Sequence, residues 1–105
     1  MGAWESRDLN SIYGPVATDG FVVATLIGTG TMSRQKIEGY TGESSPPNAK
    51  RSTASVVCLT PLMGNFTDSF TMPVRKNDYY RVTRTIEESV SGSATVTIYW
   101  IPLGN

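Results

Sequence analysis

Histidine is missing from this chain altogether, and cysteine occurs once, as Cys58. Without His no side chain ordinarily titrates near neutrality, so any nucleophile would need Lys, Asp, Glu or Tyr as its base. Lys36, Lys50 and Lys76 are the only side-chain amines. Ser33 and Lys36 form a Ser-Lys spacing that composition alone produces, and nothing nearby resembles an oxyanion-hole motif. A single Cys excludes an intrachain disulfide and a thiolate metal site, and its neighbours Val56, Val57 and Leu59 predict a buried structural thiol.

Charge runs are also missing. Nine Lys and Arg balance nine Asp and Glu, with nothing longer than pairs such as Arg75-Lys76 or Glu87-Glu88. A nucleic-acid binder needs a basic stripe and a peripheral membrane protein a polybasic patch, so neither partner is expected. Glu87 and Glu88, adjacent at a strand end, would project oppositely and could not flank one glycosidic bond. Asp68 and Asp78 are isolated, so no metal site is expected from side chains. Gly28-Thr29-Gly30 precedes no helical pattern and reads as a hairpin turn, not a phosphate loop. The sequence therefore predicts no enzyme, no catalytic residues, no metal and no cofactor.

Long apolar stretches are absent too: nowhere do 18 apolar residues run together, and Met1 to Asn10 carries Glu5, Arg7 and Asp8. Neither a membrane-spanning helix nor a signal peptide is expected. At 105 residues the chain suits one domain over 1–105. Such a domain buries roughly 60–65% of its unfolded surface, so self-association would help it.

What the chain does have is Thr, Val, Ile, Tyr and Phe, with turn residues recurring every ten or so positions and almost no helical periodicity. That is the pattern of a β-sandwich or barrel. Strands are predicted near Leu9–Tyr13, Phe21–Ile27, Thr31–Tyr40, Ala54–Thr60, Phe66–Val74, Tyr79–Ile86 and Ala94–Ile101. The connections are Asp19-Gly20, Gly28–Gly30, the long loop Thr41–Ser52, a loop through Pro61, Gly64 and Asn65, the turn Arg75–Asp78 and a polar turn around Ser89–Ser93. Connections this short imply mostly antiparallel pairing.

Alternation places Phe70, Met72 and Val74 on one face, Tyr80, Val82 and Ile86 inward, and Val96, Ile98 and Trp100 on the face opposite Tyr99 and Ile101. Arg84 would then enter the core, unless a bulge intervenes or it pairs with a carboxylate such as Glu87. In Phe21–Ile27 both faces are apolar, which predicts a core contact on one side and another subunit on the other.

Two segments carry a family resemblance. Ile12-Tyr13 through Ala17-Thr18-Asp19-Gly20-Phe21-Val22-Val23-Ala24 resembles the opening of jelly-roll domains at the tips of bacteriophage tail fibres. Met72-Pro73-Val74-Arg75-Lys76-Asn77-Asp78-Tyr79-Tyr80-Arg81-Val82, with the closing Tyr99-Trp100-Ile101-Pro102-Leu103-Gly104, also resembles the trimeric heads related to complement and tumour necrosis factor. Asn77 stands where that pattern has Gly, and Asn is the non-Gly residue that best tolerates the left-handed backbone.

The resemblance implies a jelly-roll β-sandwich of seven to eight strands, a homotrimer with final strands near the threefold axis, and a virion location as the tip of a longer tail fibre. It also implies a partner on the host surface, a glycan or another receptor. The expected trimer interface comprises Val22, Ala24, Tyr99, Ile101 and Leu103. For the last three the alternative is a cover formed by the chain's own N-terminal segment.

Sugars stack on aromatic faces and bond through their hydroxyls to Asn, Asp and Arg, so Tyr40, Asn48, Lys50 and Arg51, in or beside the long loop, are the candidate ligand contacts. A purely structural trimerisation or capping module of a virion or fibre is the alternative role.

Overall fold

The computed structural model of the chain describes residues 3–58 and 66–104, and the side chains of 3–27, 35–54, 67–85 and 95–104. The expected loop through Pro61, Gly64 and Asn65, the strand end at Thr60, and the side chains of Cys58, Ile86, Glu87 and Glu88 lie outside these residues. The described chain is all β and antiparallel, with five strands: β1 (Glu5–Arg7), β2 (Gly20–Gly42), β3 (Ala49–Cys58), β4 (Phe66–Val74) and β5 (Tyr79–Pro102). Among the described residues no helix is long and apolar enough to cross a membrane.

Fewer strands appear than expected because two predicted turns are not turns. Gly28–Gly30 lies inside β2 and Ser89–Ser93 inside β5, and the two stretches pair with each other, Gly28 with Ala94, Thr29 with Ser93 and Gly30 with Gly92. β2 and β5 thus form one ribbon, running from Gly20 opposite Pro102 to Gly42 opposite Tyr79.

Fully extended, 23 residues of β2 would span roughly 75 Å. The longest dimension of the molecule is 46 Å, so the ribbon bends back on itself. On its other edge β2 pairs with β4 along Gly20–Gly28 and with β3 along Ser33–Thr41. β1 adds to the far edge of β5, with Ser6 opposite Tyr99.

The halves of the bent ribbon meet face to face, which makes the architecture sandwich-like. Gly39, in the second half of β2, lies so near β4 that an added Cβ would sit 2.9 Å from Met72 Sδ and from two atoms of the Phe70 ring. Met72 and Phe70 in turn pair with Val22 and Ala24 in the first half. Gly39→Val is therefore expected to lower stability by about 1–3 kcal/mol through overpacking. A reduced urea midpoint at unchanged m-value is the readout, and an unaltered midpoint would mean that the layers are not in contact there.

The core consists of Val22, Ala24 and Leu26 from β2, Ile37 from its far half, Ala54, then Phe70, Met72 and Val74, Tyr80 and Val82, and Ile98 and Trp100, with Val16 at one end. Alternation on β4 and β5 is thus as predicted for Phe70, Met72, Val74, Tyr80, Val82, Ile98 and Trp100.

Buried positions on β2 are even-numbered from Gly20 to Leu26 but odd-numbered from Gln35 to Thr41. The ribbon register slips between: Arg34 faces Glu88 and Gln35 faces Ile86, leaving Glu87 as an extra residue on β5. That bulge lies beyond Arg84, so it does not turn Arg84 away. Arg84 sits opposite Ile37 and is exposed, at a margin of the core.

Further expectations shift locally. The opening strand is Glu5–Arg7, and Leu9–Tyr13 contributes a single bridge, Tyr13 to Tyr80. The loop predicted over Thr41–Ser52 shrinks to residues 43–48, because β2 continues to Gly42 and β3 starts at Ala49.

The turn Arg75–Asp78 is as expected, closed by Asp78 N donating to Arg75 O at 3.0 Å, with Asn77 at φ 74°. A type II turn requires positive φ at that third position, and Asn accepts it. Lys76 N donates to Asp19 Oδ1 at 2.7 Å, so the Asp19-Gly20 turn and the Arg75–Asp78 turn are tied together.

Candidate functional site

β3 and β4 each pair only with β2 among the described strands, so each keeps a free edge on the same side of the molecule. Where the start of β3 meets the end of β4 and the following turn, a groove of about 300 Å³ opens, lined by Thr41, Gly42, Arg51, Pro73, Arg75 and Asp78. A shallower extension reaches the 43–48 loop through Glu43, Ser44 and Asn48.

Arg51 reaches this groove because of a second bulge. Gly39 faces Ser52 and Tyr40 faces Lys50, so Arg51 is the unpaired extra residue of β3. Bulges re-aim side chains in this way. Across the groove the Asp78 carboxylate is almost buried, and Arg75 Nε donates to its Oδ2 at 3.3 Å. Asp78 is held in place by its own backbone, whose carbonyl accepts from Val16 N at 3.0 Å.

Of the four predicted ligand contacts, the structure brings Asn48 and Arg51 to this groove and leaves Tyr40 and Lys50 out of it. Lys50 Nζ is 3.1 Å from Glu38 Oε2, and Glu38 also lies 3.9 Å from Lys36 Nζ. The Tyr40 ring carries the Arg81 guanidinium at 5.5 Å from its centroid. Tyr40 and Lys50 therefore belong to a polar sheet face with internal partners. Arg75 and Asp78 join the groove although the sequence suggested only a turn there. The long-range placement of β4 against β3 brings them in, and no local pattern carries that.

A second hollow of about 400 Å³ is lined by Arg7, Tyr13, Thr18, Tyr80 and Trp100, among others. Its rings are already used. Tyr80 stacks on Trp100 at 5.1 Å and on Tyr13 at 5.3 Å, and the Arg7 guanidinium covers Tyr13 at 5.1 Å while Arg7 Nε donates to Tyr80 Oη at 2.9 Å. This pile of four clamps the N-terminal segment to the core and offers a ligand no open ring face. Burial pushes the Tyr80 phenol above its ordinary pKa, against the opposing pull of the Arg7 hydrogen bond.

The residues predicted at a subunit interface separate by face. Val22 and Ala24 have no exposed surface and point into the chain's own core. The ribbon register explains this correction, since Tyr99 faces Val23 and Ile101 faces Phe21. Directly opposed residues share a face. The outer face is therefore Phe21, Val23, Tyr99 and Ile101, with Leu103 exposed just beyond it. Trp4, 57% exposed, leans on Tyr99 at 5.7 Å, so the N-terminal segment does cover part of this face. Ile101 is buried without belonging to the core cluster, whereas Phe21 and Val23 are half-buried.

Among the described residues no group of three His, Cys, Asp or Glu side chains could hold a metal ion. Comparison with family models, with curated proteins and with solved structures found no match.

Proposed function

We propose that the chain is a jelly-roll tip domain of phage tail-fibre type that forms a homotrimer and binds a host-surface glycan without chemically altering it. The observation that carries the binding reading is the groove at the free edges of β3 and β4. Its size suits one or two sugar units, and it presents donors on Arg51, Arg75 and Asn48 beside an acceptor carboxylate on Asp78. Three such grooves on one trimer would convert weak single-site affinity into firm attachment.

An array of bacterial surface glycans, probed with the purified chain, tests this reading. Reproducible binding that is lost in Arg51→Ala supports it. A blank array from a chain that nevertheless self-associates supports the second reading, a trimerisation or capping module, which the apolar outer face around Val23 and Tyr99 favours.

A further inference from the structure

Resting on the glycan reading, we infer that the groove selects an acidic saccharide, one whose sugar ring bears a carboxylate. Arg51 and Arg75 line the same groove, against one lining carboxylate, that of Asp78. Asp78 is engaged by Arg75, and Lys50, the cation next to Arg51 in sequence, is engaged by Glu38. Among the described residues no ion pair joins Arg51 to a carboxylate, and none joins Glu43, on the shallow extension, to either arginine.

The groove therefore presents a planar guanidinium, turned towards it by the β3 bulge, that no carboxylate among the described residues pairs with. A carboxylate is the counterpart that a guanidinium binds through two parallel hydrogen bonds. Free phosphate shares that chemistry, but the rest of the groove is built for more than an anion. The Asp78 carboxylate can accept from a sugar hydroxyl beside the acid, and Asn48 offers an amide. Gly42 lines the groove, and an added Cβ there would meet nothing within 4 Å, so no side chain crowds that stretch of the wall.

Calorimetric titration of the full chain with uronate- and sialate-bearing oligosaccharides, each paired with its neutral counterpart, tests the inference, with inorganic phosphate as a separate titrant. The expected result is that at least one acidic member binds about tenfold to a hundredfold more tightly than its neutral twin. That advantage should disappear in Arg51→Gln and shrink as salt rises. Arg51 is exposed, so the substitution leaves the fold intact, as circular dichroism will verify.

Equal binding of acidic and neutral twins, weakened in Arg51→Gln, overturns the acid selectivity and leaves the glycan reading standing. Phosphate binding as tightly as the best oligosaccharide overturns the saccharide part, because the groove is then a simple anion site. A folded chain that binds no oligosaccharide and no arrayed glycan overturns the inference and the reading together.

Discussion

Tyr80→Ala should lower the stability of the domain by about 3–5 kcal/mol, enough to leave it largely unfolded at body temperature if its total stability lies near the lower end of the usual 5–15 kcal/mol. Tyr80 is 2% exposed and stands between Tyr13 and Trp100. Truncation removes a buried ring, two stacking contacts and the acceptor of the Arg7 hydrogen bond. It also loosens the N-terminal segment, since the Tyr80 ring is the surface on which Tyr13 lies and only backbone bonds, such as Tyr80 N to Tyr13 O at 2.9 Å, would remain.

Tyr80→Phe separates these contributions. The rings remain, and only the hydroxyl that accepts from Arg7 is lost, a change of about 1–2 kcal/mol.

The same pair of proteins predicts a pH effect of definite sign. The folded-state pKa of Tyr80 is raised above 10.0 by burial. Below about pH 10 both folded and unfolded chains keep the proton, and the stabilisation is fully present. As pH rises beyond that, the unfolded chain releases its proton first, and stability falls until the folded-state pKa is passed. Urea melts of the parent should therefore weaken across this alkaline window with a slope that Tyr80→Phe lacks. Identical slopes in the two proteins would remove the buried phenol from the account, and a Tyr80→Ala protein as stable as the parent would remove the stack.

The strands were legible in the sequence wherever alternation met a core. Phe70, Met72 and Val74 or Ile98 and Trp100 announce an inward face through period two alone, and the burial of these residues follows it. Gly28–Gly30 and Ser89–Ser93 misled because each, alone, has turn chemistry. Paired with each other they form a continuous stretch of antiparallel ladder made of Gly, Ala, Ser and Thr. Local propensity cannot distinguish a turn from a bend in a long ribbon, since the difference lies in which distant segment supplies the partner.

The candidate site was half legible for a related reason. Asn48 and Arg51 stood out beside loop chemistry, whereas Arg75 and Asp78 arrive through β4, more than 20 positions along the chain. Tyr40 was drawn in by adjacency. The bulge at Arg51 is what parts it from the groove, and a one-residue slip in register leaves no mark on composition.

Two substitutions at neighbouring positions should behave in opposite ways. In Phe21–Ile27 the sequence is equally apolar on both faces, and only the register assigns them: Val22 opposes Trp100 and Met72, while Val23 opposes Tyr99 and Thr71. Val22 has no exposed surface. Val22→Asp would place a carboxylate between Met72 and Trp100 with no partner, at a cost of several kcal/mol, and should abolish cooperative unfolding.

Val23→Asp puts the same charge on a half-buried outer position and should leave the circular dichroism spectrum unchanged and the monomer's unfolding free energy, from urea melts, within about 1 kcal/mol of the parent. Its effect should appear in mass. Three carboxylates forced together on a shared apolar face would repel and desolvate, so light scattering at micromolar concentration should shift from trimer to monomer. A folded Val22→Asp protein would mean the faces are reversed. A parent that is already monomeric, or a Val23→Asp protein that stays trimeric, would move the subunit contact off this face. The tip reading would then rest on the Arg51 groove alone.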